Sequence, residues 1–467
     1  MTKYIFAFFL SLGFLSSLTI TSCKKSLKFS KENLNFSTDT VVFDTVFTTV
    51  GSTTKRLKIY NPSNSTLKVE EIQLMGGNSS PFRMNVDGVN GTFIKDLEME
   101  KGDSLFLFIE VTLSVNNGVL PMIIEDRIRF KTNGKDQYVQ LAVWGQDAYF
   151  HYKDVNSGTW PNDKPHVIYG YAAVDSAQTL NIQQDTKIHL HKDAILYNYK
   201  GTLNINGTYG HEVILQGDRL ETYYQDQAGQ YYGIYMQEAR PSKISHTIIK
   251  NGTAGIHLFS EDPSNSGYTL EIDNTVIYNN ARYGIFIYSG AKVKAENCLI
   301  YKNKAYALFV LEGGDFNFNY CNLLGYASTD QVPAVGITNF FKNSQGVLTH
   351  KSINEGTITN SVITGNQATE LVIATENPGG AYNLVFNISN CLIKSEEIPT
   401  DGFFVPNTIL WNQDPQFKDI TDDDFHITSL SPLNGKADPN YFSPLVFQDL
   451  DNVTRTSPED IGVYESN

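Results

Sequence analysis

Apolar and polar residues alternate in short runs along most of the chain, and each run is closed by Gly, Asn, Asp or Ser. An alternation of period two is strand spacing, because successive side chains on an extended backbone point to opposite faces. Between Phe36 and Asp147 the runs include Thr40–Phe47, Lys55–Tyr60, Thr66–Leu74, Ser104–Val111 and Asp126–Lys131. Turn residues separate them, as in Asn61-Pro62-Ser63-Asn64, Gly76-Gly77-Asn78 and Lys101-Gly102-Asp103. Seven or eight strands at this spacing predict an Ig-like β-sandwich over residues 36–147. It holds no cluster of catalytic residue types and reads as a spacer. Residues 148–166, with Gly158, Pro161 and Pro165, read as a linker.

Beyond residue 167 the alternation becomes a repeat. Asn274-Thr275-Val276-Ile277-Tyr278 is answered 23 residues on by Asn297-Cys298-Leu299-Ile300-Tyr301, and Tyr320-Cys321-Asn322-Leu323-Leu324 follows at the same step. Later copies begin at Asn360 and Asn390 after longer excursions. A period in the twenties with short strands and no helical spacing predicts stacked coils, a parallel β-helix. Residues one period apart then lie one strand spacing, about 4.8 Å, above each other. The expected all-β chain is a sandwich, a β-helix over 167–430 and a capping segment over 431–467.

The first residues are of another kind. Lys3, the apolar run Ile5–Leu10 and the junction Ile20-Thr21-Ser22-Cys23 read as a signal peptide over 1–22. The junction resembles a bacterial lipobox, which implies acylation of Cys23, a tether over 23–35 and membrane anchoring in the cell envelope. An outer-membrane location is expected, and Lys24-Lys25-Ser26 gives no support for outward display.

Composition narrows the classes. The chain has 467 residues, 36 Lys+Arg against 50 Asp+Glu, and a net charge of −14. An acidic surface repels phosphate, so nucleic acid is not an expected partner. At 41% hydrophobic residues, the chain can bury a core.

The coil period, with Gly217-Asp218-Arg219-Leu220-Glu221, Trp411-Asn412-Gln413-Asp414-Pro415, Asp424-Phe425-His426-Ile427 and Asp460-Ile461-Gly462, resembles right-handed parallel β-helix lipoproteins of Bacteroidota, in the pectate-lyase-like superfamily. The order of domains is similar to bacterial chains that place Ig-like modules before larger surface domains. The resemblance implies a right-handed solenoid and leaves the activity open.

Placing residues on rows identifies candidate chemistry. Cys298 and Cys321 share an inward row, with Thr247 and Thr275 before them and Cys391 beyond, and read as core; a Cys298–Cys321 disulfide is the alternative. Outward, Glu271 stacks with Lys294 and Asn317, and Lys292 with Asp315, as charge ladders. Asp273 and Glu296 stack like on like. As residues alone they read as an exposed, screened pair. Pectate-lyase-like enzymes hold Ca²⁺ between carboxylates of adjacent coils, so the resemblance makes this pair the candidate cation or acid/base site, with Arg282 as the nearest outward cation. His189 and His191 share a strand face and read as exposed polar positions. Asp422-Asp423-Asp424 reads as structural, and Tyr209-Gly210-His211-Glu212 as a turn.

Two features suit a sugar. Outward rows carry Tyr278 over Tyr301, and His257, Phe286 and Phe309 in line; the Phe row is expected to lie under the excursions at 329–356 and 368–381, while the Tyr row could be open or covered. The loop 218–232 gathers Arg219, Glu221, Tyr223, Tyr224, Tyr231 and Tyr232, and long loops on a rigid solenoid are where binding commonly resides; the resembling family keeps a similar loop, so a brace along one side of the helix is the other reading. The leading expectation is a tethered, non-catalytic lipoprotein that recognises polysaccharide or another envelope component. A polysaccharide lyase centred on Asp273, Glu296 and Arg282, or a purely structural envelope protein, are the alternatives.

Overall fold

The computed structural model describes residues 29–115, 122–261, 267–328 and 331–466. Cys23, the signal segment and most of the expected tether lie outside these. The described residues form two compact units that meet in sequence at Gln146 and Asp147.

The first unit packs two five-stranded sheets. One runs Asn35–Phe36, Lys55–Tyr60, Ser104–Val111, Phe82–Val86, Val89–Asn90 in spatial order; the other runs Thr40–Phe47, Lys135–Gln146, Met122–Thr132, Leu67–Leu74, Phe93–Met99. Alternate residues such as Leu57, Ile59, Leu107, Ile109, Val139 and Leu141 point between the sheets and are fully or almost fully buried. The sandwich follows from that alternation: each strand buries one face and solvates the other.

The second unit is the right-handed β-helix, and its coils have three faces. The first face is a nine-stranded parallel sheet that begins at Gly158–Trp160 and ends at Leu384–Ser389. The second face runs from Lys187–Leu190 to Ile409–Trp411, and the third from Ile195–Tyr199 to Leu371–Ala374. The 23-residue step is the register itself: Asp273 pairs with Glu296 and Glu296 with Asn319, while Ile277 pairs with Ile300 and Ile300 with Leu323. Inward columns of Ile, Leu and Val fill the coil interior.

One corner shows why this sequence turns where it does. Between the first and second faces, His246, Asn274, Asn297, Tyr320, Asn360 and Asn390 all have φ between 42° and 55°. Asparagine tolerates this left-handed conformation because its short polar side chain bonds locally. The next residue in each coil donates back to the carbonyl two positions earlier, as Thr275 does to Asp273 (2.8 Å), Cys298 to Glu296 (3.3 Å), Ser361 to Thr359 (2.6 Å) and Cys391 to Ser389 (3.1 Å). The three described cysteines are free and buried, as the core reading expects. Burial pushes the Cys391 thiol up to about 12.

Two boundaries differ from expectation. The stretch 148–166 is not a linker: Tyr149–Val155 pairs in parallel with His166–Val174, and Gly158–Trp160 pairs with Thr179–Gln183, so the coil stack begins there. Its prolines sit between strands. Inside it, His151 and His166 meet at 2.9 Å and both stack on Trp160. Burial pulls His166 down to about 4, so it is neutral in the folded chain where the unfolded chain, near 6.5, takes up a proton. Stability is therefore expected to be complete above about pH 6.5 and to fall as pH drops toward 4. Thermal unfolding across that window checks it; a flat melting temperature contradicts it.

The segment 431–467 does not cap the end of the stack either. Its described residues, with the hairpin Phe417–Asp419 and Asp424–Ile427, lie along the second face. Phe425, Ile427, Leu433, Val446, Ile461 and Val463 pack on Leu299, Tyr301, Leu324, Val362 and Leu392. Those second-face residues point outward and are apolar, so they need a cover.

Candidate functional site

Asp273 and Glu296 are in register, as the period requires, but they are not exposed: they retain 2% and 3% of their surface. The C-terminal segment covers them. Ser443 Oγ donates to Glu296 Oε1 (2.7 Å), and a cavity of about 330 Å³ beside Asp273 is walled by Pro444, Leu445, Gln448 and Leu450. Each carboxylate has its own lysine, Lys243 at 3.5 Å from Asp273 and Lys294 at 2.7 Å from Glu296. Ser245 Oγ also donates to Asp273 (2.5 Å). Charge balance therefore comes from lysines of the first face. Among the described residues no group of three His, Cys, Asp or Glu side chains is placed to hold a metal ion. Arg282 is elsewhere, exposed at the corner between the second and third faces.

Other charged candidates are paired or buried. Asp423 accepts from Lys302 (3.0 Å), and His426 bridges Asp424 (2.5 Å) and Asp451 (2.7 Å), tying the C-terminal segment together. His189 is buried rather than exposed; its Nδ1 lies 3.2 Å from the Gly217 carbonyl, and burial pulls it down to about 4. His191 is exposed and lies 2.6 Å from Asp218. On the first face, Lys292 reaches Asp315 (3.5 Å), whereas Lys294 turns to Glu296 on its own strand.

Of the two aromatic rows, the Tyr row is covered, and the Phe row departs from expectation. Tyr278 and Tyr301 stack at 5.0 Å, but Phe425 meets Tyr301 edge-on at 5.0 Å and Tyr301 keeps only 8% of its surface. The row expected to be covered is the partly open one. Tyr197, Tyr235, His257, Phe286 and Phe309 are register partners on successive third-face strands, and each is half-buried. Their rings stack at 5.5, 4.7, 4.6 and 5.5 Å. The first excursion packs beside the column instead, with Phe341 edge-on to Tyr288 at 5.9 Å, while Leu371–Ala374 of the second is a third-face strand itself.

The stacking decides what this column offers. Outward side chains on adjacent parallel strands are about 4.8 Å apart, so planar rings lie face to face along the axis. Ring faces are used on one another, and ring edges point to solvent. Tyr283 and Tyr306 widen the column from the neighbouring corner, stacking on Phe286 (4.7 Å) and Phe309 (4.5 Å). Beyond Phe309 the row continues with Gly336, where a Cβ would lie 2.7 Å from the Tyr306 ring. Burial pulls His257 down to about 4, so it is a neutral member of the column.

The loop 218–232 enters at the same corner. Its last residue, Tyr232, joins the column through a 2.5 Å hydrogen bond between its hydroxyl and His257 Nδ1. Tyr231 is buried, with its hydroxyl donating to the Lys250 carbonyl (2.8 Å), so it braces the loop and is not a ligand contact. Arg219 pairs with Glu221 (3.0 Å) and lies over the Tyr224 ring (4.0 Å). Arg219 and Tyr224 also wall a cavity of about 250 Å³ with Gln216, Gln230, Lys250 and Asn251. Tyr223 is 71% exposed. Arg282 and Lys304 are exposed on the following corner turns, and neither is in an ion pair among the described residues. The structure thus gathers Tyr232, Arg282 and the His257–Phe286–Phe309 row at one corner, while the ring of Tyr223 packs on Tyr224 within the loop (5.1 Å). Sequence reasoning missed Tyr197, Tyr235, Tyr283 and Tyr306. Tyr197 and Tyr235 were recoverable by extending the Phe row to earlier coils.

The fold is that of a right-handed parallel β-helix. Residues 172–323 match the family model described as a right-handed β-helix region. No curated protein matches the chain. Among solved structures, a family 123 glycoside hydrolase from Clostridium perfringens, studied for glycolipid glycan hydrolysis, is similar over 25% of this chain and 26% of its own, at 9% identity and a TM-score of 0.18. PapD-like domain 7 of human CEP192 is similar over 24% of this chain and 84% of its own, at 10% identity and a TM-score of 0.17. The chain thus spans about a quarter of the hydrolase, and no activity follows from likenesses of this extent.

Proposed function

We propose that this chain is a cell-envelope lipoprotein, tethered through Cys23, whose β-helix recognises polysaccharide without cleaving it. The observation that carries the reading is the third-face corner, where an edge-out aromatic column stands beside cations with no carboxylate partner. A polysaccharide laid along the axis meets the C–H edges of the rings, the Tyr235 and Tyr283 hydroxyls and the Arg282 and Lys304 charges at coil intervals. The roofed and lysine-paired carboxylates support a role without cleavage, and Ca²⁺ has no part in the proposed contact.

A glycan array read with and without Ca²⁺, together with the absorbance of unsaturated uronides, tests it. Binding without product is expected. Product that disappears in Asp273→Ala or Glu296→Ala would establish the lyase instead, and no binding to any glycan would leave a structural envelope protein. Arg282→Ala and Phe309→Ala are each expected to weaken binding about tenfold, measured by titration calorimetry. For the tether, Cys23→Ser is expected to move the protein from the membrane to the soluble fraction. Unchanged membrane association would contradict it.

A further inference from the structure

The N-terminal sandwich carries a cleft that the spacer reading does not use. It has a volume of about 1200 Å³ and is lined by residues that include Arg83, Asn85, Asn90, Phe108 and Glu110. Ligand sites are commonly 300–1000 Å³, so this one has room for more than a single sugar ring. Phe108 and Glu110 are exposed neighbours on the outer face of Ser104–Val111, and Arg83 and Asn85 face them from Phe82–Val86.

The polar groups are held in place by the protein rather than left to wander. Arg83 Nη1 donates to the Ser80 carbonyl (2.6 Å) and the Phe82 carbonyl (2.8 Å), with no carboxylate partner. Glu110 Oε1 accepts from Thr54 Oγ1 (2.6 Å). Asn85 Nδ2 donates to Asn90 Oδ1 (2.7 Å), and Asn85 Oδ1 accepts from the Gly88 amide (2.9 Å). Phe108 stacks on Phe106 at 6.2 Å, and both rings are exposed. One guanidinium, one carboxylate and fixed amides give a wall without net charge that can donate to and accept from adjacent hydroxyls at once. The exposed ring supplies an apolar surface beside them.

We infer that this cleft binds a neutral oligosaccharide, as a second glycan site independent of the β-helix corner. The balanced charge disfavours an anionic chain, and the dense alternation of donors and acceptors disfavours an apolar ligand.

Titration calorimetry of the mature full-length chain with cellohexaose, xylohexaose and mannohexaose, with hexagalacturonate as the acidic control, tests the inference. At least one neutral hexasaccharide is expected to bind, and Phe108→Ala and Glu110→Gln are each expected to weaken it about tenfold or more. Both positions are exposed, so melting temperatures should stay at the parent value. Phe309→Ala, on the β-helix, should leave this binding unchanged. Heat from hexagalacturonate alone, no heat from any neutral hexasaccharide, or binding indifferent to Phe108→Ala and Glu110→Gln would overturn the inference.

Discussion

Replacing Arg455 by alanine is expected to destabilise the β-helix unit by about 3–5 kcal/mol, the scale for removing one partner of a buried charge cluster. Its guanidinium has no exposed surface. Nη2 donates to Asn297 Oδ1 (3.0 Å) and the Gly462 carbonyl (2.8 Å), and Nη1 lies 3.6 Å from Glu465. Its flat face covers the Tyr320 ring at 4.4 Å. Asn297 and Tyr320 are left-handed corner residues of successive coils, so this one side chain ties the C-terminal segment to the stack. Alanine removes those bonds and leaves the buried Glu465 without its cation. Urea unfolding and limited proteolysis within 431–466 read the effect. Cleavage there should rise first, and a variant as resistant as the parent would contradict the tie.

The second large effect is expected from Gly233→Ala, at about 3 kcal/mol or more, since a strained backbone and a backbone clash add. Gly233 opens the third-face strand after the loop 218–232 and has φ +142°. A Cβ there would lie 1.8 Å from the Ala254 carbonyl oxygen, which belongs to the next coil and cannot retreat without breaking its register. The shift would pass to Tyr232 and Tyr235, so loss of polysaccharide binding should accompany the fall in melting temperature. Gly402→Ala, where a Cβ meets nothing within 4 Å, is the control and should melt as the parent does.

The coil geometry was legible because it is local. A left-handed residue, a back-bonding hydroxyl or thiol and an inward Ile recur within one period, so one copy predicts the next. Alternation also said correctly which side chains point outward. It could not say what lies over them. Glu296 is covered by Ser443, 147 residues later in the chain, and Tyr301 by Phe425. Such cover depends on where a distant segment returns, and no spacing within the repeat records it. For the same reason the Phe row was assigned to a roof that packs beside it. Pro161 and Pro165 suggested a linker, yet proline is tolerated between strands of a first coil as readily as in a tether. The loop 218–232 was found by its composition, but composition does not separate the bracing Tyr231 from the exposed Tyr223.

Hydrogen exchange on the full chain, with and without the polysaccharide that the array selects, tests the central claim most directly. The third-face corner predicts slowed exchange in 232–237, 282–288 and 304–311, with 270–274 and 440–449 unchanged. Protection confined to 270–274 and 440–449, around Asp273 and its cover, or no protection anywhere in the β-helix, would contradict it.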